Sequence, residues 1–200
     1  PIQDDPQLPR VLLLGDYISI GYTAHVRQLL AGKANVHRAP ENCGPTTRGL
    51  EKMDIWLGDG NWDVIPVNFG LHDLKYVDER GELASPSDGS MQVPIEQYEA
   101  NLRTLVQRLM QTEAKLVWCT TTPVPAGAQG RISDDSENYN AVASRVIKEE
   151  GRGRIGVNDL HAFAKPQLDQ IQRQADVHFH REGSRLLAKE VAESVRAALD

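Results

Sequence analysis

At 200 residues, with 40% hydrophobic and 25% charged side chains, the chain has the size and composition of one globular domain spanning residues 1–200, which excludes a disordered polymer. Its 28 acidic and 22 basic residues leave a net charge of -6, which offers no basic footprint for nucleic acid. The aliphatic run Val11-Leu12-Leu13-Leu14 falls far short of the roughly 20 residues that span a bilayer, so no membrane partner is expected.

In chain order, Arg10–Gly15 reads as a buried strand between Pro9 and the Gly15-Asp16 turn. Apolar residues at helical spacing over 18–30 predict a helix closed by Gly32, and residues 35–38 a short second strand. Residues 46–57 form an amphipathic pattern that Gly58-Asp59-Gly60 stops. Residues 63–70 and 115–120 are continuous apolar runs and read as the third and fourth strands. Between them a helix is expected over 94–111, with Pro94 in its first turn. A helix over 135–150, a fifth strand over 154–158 and a long helix over 182–199 complete the pattern. Pro66 conflicts with a central third strand, because it removes a ladder hydrogen bond; a bulge, or a strand beginning late at Val67, are the two repairs.

Strands alternating with helices predict a parallel, doubly wound sheet, whose ligands bind at the carboxyl ends of the strands. Two long polar loops, 78–93 and 123–138, follow strands three and four and should overhang that edge. Cys43 and Cys119 are the two cysteines and imply no disulfide framework; two unpaired thiols are expected. The chain starts at Pro1 rather than methionine, from which removal of a leader or tag is the expectation.

The strand ends carry Gly15-Asp16-Tyr17, Asn42-Cys43-Gly44, Gly70-Leu71-His72-Asp73 and Asp176-Val177-His178. Glycine after a strand lets backbone N–H groups approach a ligand, and four such turns on one edge make an oxyanion pocket. His178 supplies a base that titrates near neutrality, and Asp176 can orient it. His72 follows a strand end beside Gly70, and His180 lies on the same side as His178 if that segment is extended. Arg48, Lys75, Arg131 and Arg181 fall near the mouth as candidates to greet an anion, while His25, His37 and His161 read as structural. The spacing of histidines and cysteines supports no metal site, and no cofactor is implied.

These four segments, in this order, resemble the signature blocks of the SGNH (GDSL-like) hydrolases. Gly15-Asp16-Tyr17-Ile18-Ser19 resembles G-D-S-[IL]-S, and Gly44-Pro45-Thr46-Thr47 resembles the glycine block. Gly70-Leu71-His72-Asp73 resembles G-x-N-D, and Asp176-Val177-His178 with Gly183 resembles the D-x-x-H block and its downstream glycine. The resemblance implies a flavodoxin-like five-stranded parallel sheet of order 2-1-3-4-5 and a lineage of esterases and carbohydrate deacylases. Together with the start at Pro1, it implies a secreted or periplasmic location. It places Tyr17, His178, Asp176 and His72 in the catalytic constellation, with Gly44, Gly70, Asp16, Arg48 and His180 for oxyanion or substrate binding.

Three positions depart from that pattern. Tyr17 stands where the family has its nucleophilic serine, whether through design or divergence, and a phenol is a bulkier and poorer acyl acceptor. His72 replaces the asparagine that donates to the oxyanion. Ala175 occupies the usual acid position, leaving Asp176 two residues before His178. Ser19 is no ready substitute, since two helical residues turn a side chain by about 200°. The leading expectation is an ester hydrolase lineage acting on a carbohydrate or similar polar acyl ester. The alternatives are a Tyr/His acid–base lyase on a uronate polysaccharide and a non-catalytic sugar-binding protein.

Overall fold

The computed structural model describes residues 2–200. Its elements are β1 (Arg10–Leu13), α1 (Tyr17–Leu29), β2 (Asn35–Arg38), α2 (Thr46–Leu57), β3 (Val64–Val67), β4 (Tyr76–Val77), β5 (Ser90–Met91) and α3 (Ile95–Leu109). There follow β6 (Lys115–Cys119), α4 (Asp135–Gly151), β7 (Ile155–Asn158), α5 (Leu160–Ala164), a 3-10 turn at Lys165–Gln167, α6 (Leu168–Ile171) and α7 (Arg181–Leu199). Five strands pair in parallel in the order β2-β1-β3-β6-β7, the 2-1-3-4-5 order that the resemblance implies. Helices α1 and α7 pack together, and α2, α3 and α4 pack in series, which sandwiches the sheet between two helical layers.

The apolar runs form strands because burial on both faces demands it. Val11, Leu12 and Leu13 of β1, all of β3 and Leu116–Cys119 of β6 are buried. Edge strand β7 is the exception, with Val157 exposed. No helix is long and apolar enough to cross a membrane among the described residues.

Pro66 is tolerated in neither of the two expected ways. β3 begins at Val64, runs through Pro66 without a bulge, and sits at the centre of the sheet. The Pro66 carbonyl accepts from Leu14 N at 2.9 Å, so its backbone polar edge faces β1. The missing N–H is therefore lost from the β1 side alone. Pairing there holds at Val11↔Val64 and resumes at Leu14↔Val67, while the β3–β6 ladder runs unbroken from Val64 to Val67.

Other boundaries shift slightly. β1 ends at Leu13, with Leu14 in an isolated bridge, and α1 begins one residue earlier than expected, at Tyr17. The 78–93 loop hides half of a β4–β5 hairpin, and α5 and α6 were not anticipated; at four and five residues they show no readable periodicity.

Candidate active site

Tyr17 is presented by a capped turn. The Asp16 carboxylate accepts from Ile18 N at 2.9 Å, starting α1 immediately after the β1 end, and Tyr17 becomes its first residue at 55% exposure. A Cβ on Gly15 would stand 3.0 Å from Ser19 Cβ, so a larger residue at this tight entry would have to push Ser19 aside. Burial raises the pKa of Asp16, opposed by the Ile18 hydrogen bond and the charges of Arg131 and His178. Ser19 is 2% exposed and its hydroxyl donates to Asp16 O at 2.6 Å, so it lies sealed beneath the helix start.

His178 and Asp176 form a close pair despite the shortened spacing. Asp176 Oδ1 accepts from both His178 N (3.0 Å) and His178 Nδ1 (2.6 Å). A tight turn brings them together, closed by Arg173 N donating to His178 O and by Ala175 at φ 51, a left-handed conformation a non-glycine residue seldom adopts. Partial burial works against the Asp176 carboxylate, but hydrogen bonds from His178 and the charge of Arg173 outweigh it and hold its pKa below the ordinary value. Gly183 supports the turn from behind, since a Cβ there would meet Ile171 O at 2.2 Å.

His72 is fixed by a residue to which the sequence pattern gave no role. Asn42 Oδ1 accepts from Gly44 N at 2.9 Å, which orients the amide so that Nδ2 faces His72 Nε2 at 3.3 Å. The amide can only donate there, so Nε2 accepts and the His72 proton resides on Nδ1. Burial, aided by the charges of Lys75, Arg131 and His178, pushes the His72 pKa down to about 3. His72 is thus a neutral donor, while the Gly44 N–H is engaged by Asn42. Gly44 takes φ 63 at this turn. Gly70 takes φ 154 and packs where a Cβ would meet Thr121 Oγ1 at 2.0 Å. Asp73, the last residue of that block, is wholly buried and accepts from Thr46 N (2.8 Å) and Thr46 Oγ1 (2.5 Å), tying α2 to the turn. Burial pushes its carboxyl up to about 7.

Asp176-Val177-His178 follows no strand of the sheet, contrary to the expectation from sequence; it lies between α6 and α7, because two short helices and a 3-10 turn intervene after β7. The turns after β1 and β3 meet this segment in a cleft of about 200 Å³ lined by Asp16, Tyr17, His72 and His178, by Lys75 and Arg131, and by apolar side chains that include Leu83. The Tyr17 ring centroid lies 5.9 Å from that of His178, edge-on, and 6.3 Å from that of His72. Arg131 is held by Nε donating to Leu71 O (3.1 Å) and Nη1 to Gln129 O (3.4 Å). The two long loops overhang as expected: Tyr76 N donates to Gly130 O at 2.8 Å, and Leu83 reaches the cleft from above.

The other candidates fall elsewhere. Arg48 pairs with Glu41 outside the cleft, and Arg181 opens α7 on the surface. His180 caps α7 and lines a neighbouring hollow with Gln172 and Ala175 instead of following His178 into the cleft. His37 pairs with Asp4 at 2.6 Å and stacks edge-on against Trp62, a structural role. A larger hollow of about 450 Å³ lies beside β7, α4 and α5, but its polar groups satisfy one another: Thr120 with Asp159, and Glu137 with Lys165. Cys43 and Cys119 are free and buried, and burial pushes each thiol up to about 12. Among the described residues no three or more His, Cys, Asp or Glu side chains cluster to hold a metal ion.

No protein-family model and no curated protein matches this sequence. Solved structures do share the fold. An acetyl xylan esterase, AlAXEase, superposes at TM-score 0.73 with 16% identity, covering 93% of this chain and 99% of its own. A lipase/acylhydrolase from Enterococcus faecalis reaches TM-score 0.75 at 18% identity, covering 94% and 96%. An acetylxylan esterase from Geobacillus stearothermophilus gives TM-score 0.73 at 16% identity, covering 94% of each chain. Catalytic mutants of that last enzyme, at an aspartate and at a serine, share the fold equally well. The α/β architecture and strand order are those expected of an SGNH hydrolase fold.

Proposed function

We propose that this chain is a hydrolase of short acyl esters on a sugar or similarly polar molecule, working with His178-activated water instead of a serine nucleophile. The observation that carries this is the His178–Asp176 pair at 2.6 Å, edge-on to Tyr17 in the same cleft. Asp176 accepts a hydrogen bond from Nδ1–H and so holds the proton there, leaving Nε2 to accept a proton from water as that water attacks the ester carbonyl. His72, neutral with its proton on Nδ1, is the donor available to the developing oxyanion in place of the family's asparagine. The Tyr17 hydroxyl then protonates the departing alkoxide, the proton held by His178 returns to the Tyr17 phenolate beside it, and no covalent acyl-enzyme forms. Neighbours named as acetyl xylan esterases and a lipase/acylhydrolase support ester chemistry in this fold. The cleft is smaller than the roughly 300–1,000 Å³ that buries drug-sized ligands, which favours an acetyl-sized group.

Acetate release from a panel of acetylated sugars tests the proposal, with intact-protein mass measured during turnover. His178→Ala should lower release by about 100-fold or more. An acyl adduct on Tyr17, or release indifferent to His178→Ala, refutes the mechanism. A second reading, Tyr17/His178 elimination from a uronate, is favoured by the cations Lys75 and Arg131 in the same cleft. It would announce itself as an ultraviolet absorbance rise from the conjugated product on uronate polymers. Binding without either reaction would favour the sugar-binding alternative.

A further inference from the structure

We infer that Arg131 and Lys75 form a carboxylate-binding subsite beside Tyr17, so that the ligand of this cleft is an acidic sugar or comparable small hydroxy-carboxylate. This rests on the cleft being the working site, as proposed above. Both cations line the cleft, and neither takes part in an ion pair among the described residues. That sets them apart from Arg48, which Glu41 occupies, and from Arg103, which three glutamates occupy.

Arg131 is also built in rather than draped over the surface. Its Nε and Nη1 donate to the backbone carbonyls of Leu71 and Gln129, which fixes the guanidinium plane and leaves further N–H donors for the cleft. Only one acidic residue lines the cleft, Asp16; it is 4% exposed and its Oδ1 is already taken by Ile18 N. The cleft therefore holds two cations against a single carboxylate, Asp16, which is buried and engaged by Ile18 N; the charges of Asp16 and Asp176 act on Arg131 without pairing with it, inside a chain of net charge -6. Half-buried like charges side by side destabilise each other, and burial and mutual repulsion lower the proton affinity of Lys75 accordingly. A bound carboxylate relieves both, with Arg131 offering planar donors and Lys75 a point charge. A cleft of about 200 Å³ leaves room for one sugar ring or less next to Tyr17 and the two histidines.

Binding is read on the intact His178→Ala protein, so that turnover plays no part. The probes are sodium D-glucuronate, D-glucose and D-glucose 6-phosphate, followed by titration calorimetry and by amide shifts in the nuclear magnetic resonance spectrum. Glucuronate should bind at least about tenfold more tightly than glucose, as a charge-assisted pair requires. Its shifts should centre on Leu71–Lys75 and Gln129–Arg131. Lys75→Met should erase most of the preference with thermal stability retained, and Arg131→Lys, which keeps the charge and loses both the planar fork and its bonds to Leu71 O and Gln129 O, should weaken it. Equal binding of glucose and glucuronate, a preference that survives Lys75→Met, or shifts centred elsewhere overturns the inference. Tighter binding of the phosphate than of glucuronate overturns the carboxylate assignment. Hydrolysis of neutral acetyl sugars with no gain for acidic ones would defeat this inference and leave the proposed function standing. Glucuronate binding without any ester hydrolysis would do the reverse.

Discussion

A tyrosine at the first residue of α1 carries its hydroxyl several ångströms farther from the backbone than a serine would, yet the partners of a serine are still present. His178 is oriented by Asp176, and the Gly15 entry turn is intact. Tyr17→Ser should therefore raise hydrolysis of a small activated acetate ester by about 100-fold or more, through a base-assisted nucleophile. His178→Ala in that background should remove most of the gain, as steady-state kinetics on the two variants will report. A Tyr17→Ser protein no more active than its parent would mean that His72 or the shortened Asp176 spacing disables serine chemistry as well. Asp73 gives a second prediction at this scale. Its carboxyl, pushed up to about 7 by burial, stays protonated in the folded protein at pH values where the unfolded chain, near 3.8, has already ionised. Across that window the folded state holds the extra proton, so stability falls as pH rises from about 4 to about 7. Asp73→Asn keeps an oxygen to accept from Thr46 and should flatten this dependence, by on the order of 1–4 kcal/mol across the window in denaturant titrations. A slope unchanged in Asp73→Asn would assign the dependence to other carboxyls, Asp16 foremost among them.

Among the elements, the glycines of the family-like blocks turn out to be contact residues as much as flexible ones. Gly183 is the clearest: α7 starts against the Ile171 carbonyl, and any Cβ would come within 2.2 Å of backbone oxygen. Gly183→Ala should push α7 outward, lower stability by about 2 kcal/mol or more, and loosen the turn that holds Asp176 against His178. Thermal unfolding and activity should fall together. A variant with unchanged melting temperature would show that the helix start can shift freely. The sequence made the parallel sheet legible because strands one, three and four are continuous apolar runs, the first and third closed by Gly15 and Gly70, and right-handed crossovers leave few arrangements; the order itself came with the resemblance of the four blocks. It also gathered Tyr17 and His72, since strand-end turns of a parallel sheet converge on one edge; His178 joins them from the segment between α6 and α7, where only its resemblance to the D-x-x-H block pointed to the cleft. What it could not show depends on side chains finding partners distant in sequence. Asn42 stood inside a recognised turn, yet its grip on both Gly44 and His72 depends on a neighbour 30 residues away. Arg131 looked like one more loop cation until Leu71 O, 60 residues distant, fixed it. Pro66 read as a defect because the pattern does not say which side of a strand an N–H faces.

The molecule as a whole divides into a sheet sandwich and a cap made of its two long loops. The sandwich is held by buried strands such as β3, whose side chains are all enclosed. Tyr139 Oη to Val93 O and Gln172 Nε2 to Pro123 O anchor the roots of these loops, whereas their overhanging parts are joined by Tyr76 N to Gly130 O, Ala84 N to Tyr76 O, and Arg131 Nε to Leu71 O. Elements with few buried contacts open at lower free energy than the core, so the cap should open locally while the sheet stays closed. Gly130 is where the two loops press hardest on each other. It takes φ 63, and a Cβ there would stand 2.5 Å from Leu83 Cδ1 and 2.8 Å from Ala84 O. The leucine can swing away, whereas the backbone oxygen cannot, so Gly130→Ala must separate the loops. Leu83 and Arg131 should then leave their places over Tyr17. Amide exchange at Tyr76 and Ala84 should accelerate by about tenfold or more, the size expected from roughly 1–2 kcal/mol of backbone strain plus contact. The amides of Leu14 and Asn68, paired at the centre of the sheet at 2.9 and 3.0 Å, should keep their rates. Ligand binding and turnover should fall with the first pair of amides while global unfolding moves little. Equal acceleration at all four amides would mean that cap and sandwich open as one cooperative body, and the cleft would then owe its shape to the stability of the entire fold.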